Sequence, residues 1–237
     1  MSFPLPKLLC ILAATLGLHI ATTSPNPPLR PSERIAPTGL EFMLASYRLR
    51  IMQTSLYWIV ALGETAITLA KLAAQSSWAE RIITTFAFGS DLSKVHPSAT
   101  PNLVLGALLI LCGATLRLQC YHVLGSQFTF ETGIIKGHKL VTTGPYSVVR
   151  HPSYAGAFLA YLGLMLYYAS PGSWVRALVQ GSLAGRLIGA FYTGLMLVVV
   201  TGLVLRIPKE DETLKNEFGE EWERWAVDRY ALIPGMY

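Results

Sequence analysis

The sequence predicts an all-α integral membrane protein, a helical bundle of about five transmembrane helices followed by a C-terminal amphipathic helix. Two observations support this prediction. Of the 237 residues, 52% are hydrophobic and only 14% are charged, whereas about 25% are charged in an average soluble domain. Five apolar stretches also approach the roughly 20 residues with which a helix crosses a bilayer. The composition excludes a disordered chain, and three cysteines within apolar stretches do not suggest a disulfide framework.

The five predicted spans are separated by polar or proline-rich connections. Glu64 lies inside the second span and Arg117 near the end of the third, while the fourth stops at a Ser-Pro-Gly turn and the fifth is expected to end before Pro208. The amphipathic helix is expected at 214–227, with its aromatic residues on one side. In chain order the spans are 5–22, 51–74, 102–124, 154–169 and 183–205.

The first span has two interpretations. Lys7 precedes a short apolar run and small residues follow near Ala21, which is typical of a cleaved signal peptide. If all five spans are retained, the segments 25–50, 125–152 and 206–237 share one side and carry twelve Lys and Arg residues, against five on the other side. Because basic residues favour the cytosolic side, the count favours a retained first helix with its N-terminus in the lumen.

Two further segments predict the organisation of the chain. Residues 24–37 contain five prolines, which prevent a helix and favour an extended cytosolic connector. We therefore divide the chain into an N-terminal part, 1–100, and a core, 101–237. Gly181, Gly185 and Gly189 recur every four residues and are expected on one helical face, where small residues let membrane helices approach. This ridge fits packing within one chain or between two copies, so a homo-oligomer stays open.

Polar residues suited to chemistry lie in two clusters on the predicted cytosolic side. The first runs from 138 to 154, and the second begins at Arg206 and includes the acidic residues 210–212. Ionisable residues converging at a membrane surface suggest a functional site. Taken singly, each has a structural interpretation as well, since Arg150 also marks the end of a helix and residues 210–212 also suit a helix start, where the dipole favours carboxylates.

In combination, the two clusters resemble the isoprenylcysteine carboxyl methyltransferase family. The resemblance extends from about residue 103 to the C-terminus and is weak before residue 100. It rests on four motifs, which are Leu140-Val-Thr-Thr-Gly-Pro-Tyr146, Arg150-His-Pro-Ser-Tyr-Ala-Gly156, Arg206 with Glu210 and Glu212, and Phe218-Gly-Glu-Glu-Trp222. It implies a multi-pass enzyme of the endoplasmic reticulum membrane, in contact with membrane lipids and with a site facing the cytosol. The implied reaction transfers a methyl group from S-adenosylmethionine to the C-terminal carboxylate of prenylated, processed CaaX proteins.

The resemblance also implies roles for individual residues. Arg206 and Glu210 form the implied catalytic pair, in which Arg206 binds the substrate carboxylate and Glu210 also holds the cofactor. Glu131 stands where some relatives carry a glutamine that contacts the cofactor. The other implied cofactor-binding residues are His138, Lys139, Leu140, Val141, Tyr146, His151, Pro152, Ser153 and Tyr154. No metal ion is expected.

Two other functions stay open at this point. A phospholipid N-methyltransferase has a similar cofactor pocket, although an amine acceptor gains nothing from a facing arginine such as Arg206. A membrane scaffold without enzymatic activity is the second alternative. The sequence argues against a Rossmann-type methyltransferase because it contains no Gly-x-Gly, and it shows neither zinc-ligand spacing nor a basic patch suited to nucleic acid.

Overall fold

The computed structural model describes residues 4–35, 46–73 and 75–235, and these residues form a bundle of eight α-helices. Within those ranges the backbone forms isolated β-bridges but no strand, so the predicted all-α class is confirmed. Three 3₁₀ turns, Leu92–Lys94, Gly125–Gln127 and Gly144–Ser147, lie in the connections. The helices are α1 (Leu5–Thr22), α2 (Tyr47–Leu72), α3 (Ser77–Ala87), α4 (Pro101–Leu124), α5 (Pro152–Tyr168), α6 (Trp174–Gly181), α7 (Leu183–Phe218) and α8 (Glu220–Ala226).

Four of these helices are long and apolar enough to cross a membrane, judged by length and composition. They are α1, α2, α4 with its extension to Gln127, and α7, and they coincide with four of the five predicted spans. The remaining predicted span, 154–169, forms α5. This helix has 17 residues and is therefore about 25 Å long at 1.5 Å per residue, a few ångströms less than a hydrocarbon core of about 30 Å.

Helices α4 and α5 meet at two pairs of glycines. A Cβ atom added to Gly113 would lie 2.3 Å from the carbonyl oxygen of Gly156, and one added to Gly106 would lie 2.7 Å from that of Gly163. Real Cβ atoms do not approach backbone this closely, so only glycine permits the contact. Membrane helices associate through such close packing of small residues. The sequence analysis did not single out these glycines.

The predicted ridge of Gly181, Gly185 and Gly189 on one helical face is wrong. Gly181 is the last residue of α6, and Ser182 separates the two helices by capping the first turn of α7. The three glycines therefore belong to two helices. Gly185 and Gly189 instead let α7 fold back closely on α6, since added Cβ atoms would lie 2.0 Å from the Leu178 carbonyl oxygen and 2.9 Å from the Val179 side chain. These contacts lie within one chain.

The last long helix continues past Pro208, which corrects both the predicted end of the fifth span and the predicted helix at 214–227. Proline removes one backbone donor, but its fixed φ angle is itself helical, and α7 continues to Phe218. Gly219 then adopts a positive φ of 54° and separates α7 from the short helix α8. The amphipathic segment is therefore split between two helices, and Arg206 and Glu210 share one turn of α7.

The N-terminal helices pack into the same core as the later ones. Ile11 of α1, Tyr57 of α2, Ile110 of α4 and Leu164 of α5 are buried in one cluster. The connector, described to residue 35, is extended with one turn and contains no helix, as its prolines predict, whereas residues 36 and 37 lie outside the described residues. It packs on the loop after α4, because Asn26 donates to the carbonyl oxygens of Gly125 and Phe128 at 2.7 and 2.9 Å.

A buried ion pair joins α1 and α2 at the end of the bundle where α1 begins. Lys7 Nζ lies 2.6 Å from Glu64 Oε1, and the two side chains are 0% and 3% exposed. Lys7 also donates to the carbonyl oxygens of His96 and Gly172 at 2.7 and 3.1 Å, and the backbone N–H of Trp174 donates to Glu64 Oε2 at 2.8 Å. Lys7 is thus a core residue of the bundle.

Candidate active site

A cavity of about 600 Å³ opens at the end of the bundle where α1 and α4 finish and α5 begins. Eleven of the twelve predicted site residues line it. Pro152 does not, because it is the first residue of α5 and is buried there, a position where the missing N–H costs nothing. The eleven are Glu131, His138, Lys139, Leu140, Val141, Tyr146, His151, Ser153, Tyr154, Arg206 and Glu210. The structure therefore brings both sequence clusters together, while the individual roles stay predictions.

The predicted catalytic pair forms an ion pair within one turn of α7. Arg206 Nε lies 3.4 Å from Glu210 Oε2, and the Arg206 side chain is 6% exposed. Arg206 also donates to the carbonyl oxygen of Phe130 at 2.6 Å and lies 5.8 Å from the centre of the Tyr154 ring. The Tyr154 hydroxyl in turn donates to Glu210. The guanidinium is thus held at a fixed position on the cavity wall.

His151 is held by Asp211, a residue that the sequence analysis did not assign to the site. His151 Nε2 lies 2.9 Å from Asp211 Oδ1, and Arg150 approaches the other Asp211 oxygen at 3.1 Å. The backbone N–H of His151 donates to the carbonyl oxygen of Ala231 at 2.9 Å. The imidazole also stacks on the Tyr154 ring at an interplanar angle of 7°. Asp211 is adjacent to Glu210 in the acidic run, and that adjacency was the only signal for it.

The polar rim of the cavity contains two side chains whose burial changes their pKa. Burial lowers the pKa of His138, although Glu217 and Glu210 oppose this shift, and His138 Nδ1 is buried without a hydrogen-bond partner among the described residues. Burial raises the pKa of Tyr146 well above its ordinary value. At neutral pH the cavity therefore presents an imidazole that favours its neutral form and a protonated phenol.

Glu131 lines the cavity but is also tied to the connector. Its Oε2 accepts a hydrogen bond from the backbone N–H of Leu29 at 2.7 Å and forms an ion pair with Arg34 at 3.2 Å. The backbone of Arg34 also forms an isolated antiparallel β-bridge with the backbone of Gly133. The predicted cofactor contact of Glu131 stays a prediction, and the structure adds a role for this carboxylate in fixing the connector over the loop after α4.

Below the polar rim the cavity continues as an apolar arm between the helices. Side chains along it include Leu56 of α2, Ala157 and Ala160 of α5, and Met196 of α7. Other lining residues, such as Ile59 of α2 and Phe191 of α7, are largely exposed, at 61% and 74%. The arm therefore opens sideways between α2 and α7, where lipid surrounds a membrane protein.

The chain is similar to known methyltransferases over part of its length. Residues 101–184 match the family model for phospholipid methyltransferases. The chain is 30% identical over 131 residues to protein-S-isoprenylcysteine O-methyltransferase B of Arabidopsis thaliana, which covers 54% of this chain and 57% of that protein. It is 37% identical over 102 residues to the Xenopus laevis protein-S-isoprenylcysteine O-methyltransferase, covering 42% and 34% of the two chains. The chain is thus similar to the isoprenylcysteine carboxyl methyltransferase family.

The similarity to this family is partial in length. The Saccharomyces cerevisiae protein-S-isoprenylcysteine O-methyltransferase is 40% identical over 74 residues, which cover 30% of this chain and 31% of that protein. The chain thus spans between about a third and three fifths of the length of these relatives. The matched family model includes α4 and α5 but neither Arg206 nor Glu210. Activity and substrate are therefore argued below from the site.

Proposed function

We propose that this protein transfers a methyl group from S-adenosylmethionine to the α-carboxylate of a C-terminal S-prenylcysteine. One observation carries the proposal: a buried arginine, Arg206, stands where a polar pocket meets an apolar arm that opens toward the outer surface of the bundle. A prenylcysteine has this same division into an ionised head and a hydrocarbon tail. Arginine suits the head because its planar guanidinium grips a carboxylate with two parallel hydrogen bonds.

The polar pocket fits S-adenosylmethionine. Within the described part of the chain, the buried His138 Nδ1 has no hydrogen-bond partner, and the carboxylate of Glu210 suits the positive charges of the sulfonium or the ammonium group. We assign the adenosine and methionine parts to the residues between His138 and Tyr154, with Glu210 opposite them. When bound, S-adenosylmethionine supplies an electrophilic methyl group. The neutral imidazole of His138 adds no positive charge beside that sulfonium.

The chemistry requires no general base. An α-carboxyl group has a pKa of about 3.5, so the acceptor is already ionised at neutral pH. A lone pair of the carboxylate oxygen forms the new O–CH₃ bond while the CH₃–S bond breaks and its electrons return to sulfur. The products are a methyl ester and S-adenosylhomocysteine, and no proton moves. Arg206 and the rigid frame around it therefore act by orienting the carboxylate and excluding water.

We place the acceptor's prenyl chain in the apolar arm and its carboxylate at Arg206. The chain enters from the bilayer through the opening between α2 and α7, so the lipid tail never leaves hydrocarbon. The cavity end of the bundle coincides with the segments that carry twelve basic residues, so we orient it toward the cytosol. We further propose that the membrane is the endoplasmic reticulum and that the partners are processed CaaX proteins.

An acceptor assay tests the proposal. Membranes containing the protein receive labelled S-adenosylmethionine with either N-acetyl-S-farnesylcysteine or phosphatidylethanolamine. We expect a base-labile methyl ester from the first acceptor and no methylation of the second. Methylated phosphatidylethanolamine without any ester would instead assign the protein to phospholipid N-methylation, and neither product would refute both activities.

A matched pair of variants ties the activity to the site. Arg206→Met removes the guanidinium, and Arg186→Met removes an exposed arginine at the other end of α7. Loss of a charge-assisted hydrogen bond costs about 1.5–3 kcal/mol. We therefore expect Arg206→Met to lower kcat/KM for the acceptor roughly 10- to 100-fold, with S-adenosylhomocysteine affinity nearly unchanged. Arg186→Met is expected to behave like the wild type.

A further inference from the structure

The segment that follows the last helix lies against the loop that leads into α5. We call residues 227–232 the C-terminal strap and residues 144–151 the site loop. The site loop contains Tyr146 and His151, which line the cavity. The sequence analysis assigned no role to the C-terminal strap, although the strap contacts the loop along much of its length.

The C-terminal strap accepts hydrogen bonds from the end of the site loop. The backbone N–H groups of Arg150 and His151 donate to the carbonyl oxygens of Tyr230 and Ala231, both at 2.9 Å. Just before them, Val149 forms an isolated parallel β-bridge with Tyr230. His151 is buried, and a buried backbone donor without a partner is costly. The strap therefore fixes the end of the loop where α5 begins.

Arg229 of the strap joins the site loop to α8 through one guanidinium group. Its Nε donates to the carbonyl oxygen of Ser147 at 3.2 Å, and its Nη1 donates to the carbonyl oxygen of Trp225 at 2.6 Å. The guanidinium carbon lies 5.8 Å from the centre of the Trp225 ring. The indole Nε1 of Trp225 donates in turn to the carbonyl oxygen of Tyr146 at 3.3 Å. Two consecutive carbonyl groups of the loop are thus held by Arg229 and Trp225.

The far end of the strap is anchored on the helices that carry the site. Ala231 and Leu232 are buried in one cluster with Ile207 of α7, and Tyr154 and Phe158 of α5 pack against this cluster. Close packing of this kind leaves little freedom for a rigid shift. Because the cluster ties the strap to α5 and α7, a site loop that moves relative to the strap also moves relative to the cavity wall.

Arg229 acts on the cavity through other residues. It is not among the described residues that line the cavity, whereas Tyr146, His151 and Trp225 are. Its guanidinium donates to backbone carbonyl oxygens, and hydrogen bonds from a charged donor are stronger than neutral ones. A substitution at Arg229 therefore leaves every lining side chain unchanged and alters only how firmly the loop is held.

We infer that Arg229 is a positioning residue for the methyl donor, because it holds Tyr146 and His151 where they can contact S-adenosylmethionine. This inference rests on the proposed function, which assigns the site loop to that cofactor. Arg229 binds the loop and α8, whereas Arg206, assigned to the acceptor, lies on α7. Loss of the Arg229 guanidinium should therefore impair donor binding and spare acceptor binding.

Equilibrium binding and hydrogen exchange on the purified full-length protein in lipid nanodiscs test the inference. Arg229→Met removes the guanidinium, and Arg229→Lys keeps the charge but loses the planar fork. Arg224→Met is the matched control, because Arg224 lies on α8, is exposed, and donates to the carbonyl oxygen of Glu220 in the same helix. For each variant we measure the affinity for S-adenosylhomocysteine, the affinity for N-acetyl-S-farnesylcysteine, and the free energy of unfolding.

We expect Arg229→Met to weaken S-adenosylhomocysteine binding about tenfold, which corresponds to about 1.4 kcal/mol, and to leave the farnesylcysteine affinity unchanged. In turnover the KM for S-adenosylmethionine should rise more than kcat falls. The backbone amides of Arg150 and His151 should exchange faster, while the amides of α1 keep their wild-type rates. Arg229→Lys should recover part of the donor affinity, and Arg224→Met should match the wild type.

Two kinds of result would overturn the inference. Wild-type S-adenosylhomocysteine affinity in Arg229→Met, even with faster exchange throughout the protein, would reduce Arg229 to a general stabilising role, while the proposed function stands if the wild type forms the methyl ester. A wild type that neither binds S-adenosylhomocysteine nor forms the ester would remove the proposed function and the donor role with it. If Arg229→Met does not fold, wild-type donor affinity and loop exchange in Arg229→Lys would overturn the inference in its place.

Discussion

Removing one partner of the Lys7–Glu64 ion pair is expected to destabilise the bundle strongly, whereas removing both charges together is not. In Lys7→Met, the Glu64 carboxylate stays buried with only the Trp174 N–H and a hydroxyl group as donors. In Glu64→Gln, the Lys7 ammonium keeps two carbonyl oxygens but loses its counter-charge. Breaking a fully buried pair costs about 3–5 kcal/mol, while its replacement by neutral groups is often close to neutral.

The measurement is a double-mutant cycle on the free energy of unfolding in mixed micelles, followed by tryptophan fluorescence. We expect each single variant to lose about 3–5 kcal/mol and the double variant Lys7→Met/Glu64→Gln to regain most of that loss. Lys136→Met, which removes an exposed lysine, is the control and should change stability by less than about 0.5 kcal/mol. Additive losses in the double variant would refute the coupling.

The same pair bears on the fate of the first helix. If residues 1–22 were removed, Glu64 would stay buried without a cation. N-terminal sequencing of the protein from membranes is therefore expected to find these residues retained. A mature N-terminus near Thr23 would contradict this prediction and would require another partner for Glu64.

Three further predictions concern the site and the packing. Burial lowers the pKa of His138, so the affinity for S-adenosylmethionine should be constant above about pH 7 and should weaken only below the ordinary histidine pKa of about 6.5, where protonation places a cation beside the sulfonium. His138→Gln should abolish this loss of affinity at low pH. An unchanged loss in that variant would exclude His138 as its source. Asp211→Asn should weaken S-adenosylhomocysteine binding roughly tenfold, since the imidazole of His151 loses a charged hydrogen bond. The affinity for a farnesylcysteine acceptor should stay unchanged. An effect on acceptor binding alone would instead place His151 on the acceptor side of the site. Gly113→Ala should destabilise the bundle by about 1–3 kcal/mol through overpacking against α5, whereas Gly194→Ala, with open space around it, should not; equal unfolding free energies would refute the close approach.

Sequence reasoning placed the helices better than it placed their ends. The fourth and fifth predicted spans were located from apolar length, but the continuation of α7 through Pro208 could not be predicted, because a proline can either end a helix or only kink it. That continuation puts Arg206 and Glu210 on one turn. The glycine pattern failed for a related reason: a spacing of four residues says nothing about whether one helix carries all three glycines, whereas the glycines that pack α4 on α5 are spaced by seven on each helix.

The residues of the candidate site were likewise predicted only in part. Residues in recognisable blocks, such as His151 and Glu210, were found because the blocks keep their order and spacing. Arg50 and Arg117, which also line the cavity, were missed since Arg50 stands just before one apolar span and Arg117 near the end of another, where an arginine in a linear sequence only suggests the end of a helix. Asp211 was passed over because a run of three acidic residues does not reveal which carboxylate faces the site.

By itself the sequence determined that this chain is an all-α membrane protein and that its chemistry lies in two polar clusters, because apolar length and residue type are local properties. Only the tertiary structure decided what those charges contact. Lys7 became a core residue through Glu64, 57 positions away, and Arg50 joined Arg117 and Arg206 across Phe130. Electrostatic pairing in a low-dielectric interior depends on distance in space, and folding alone sets that distance.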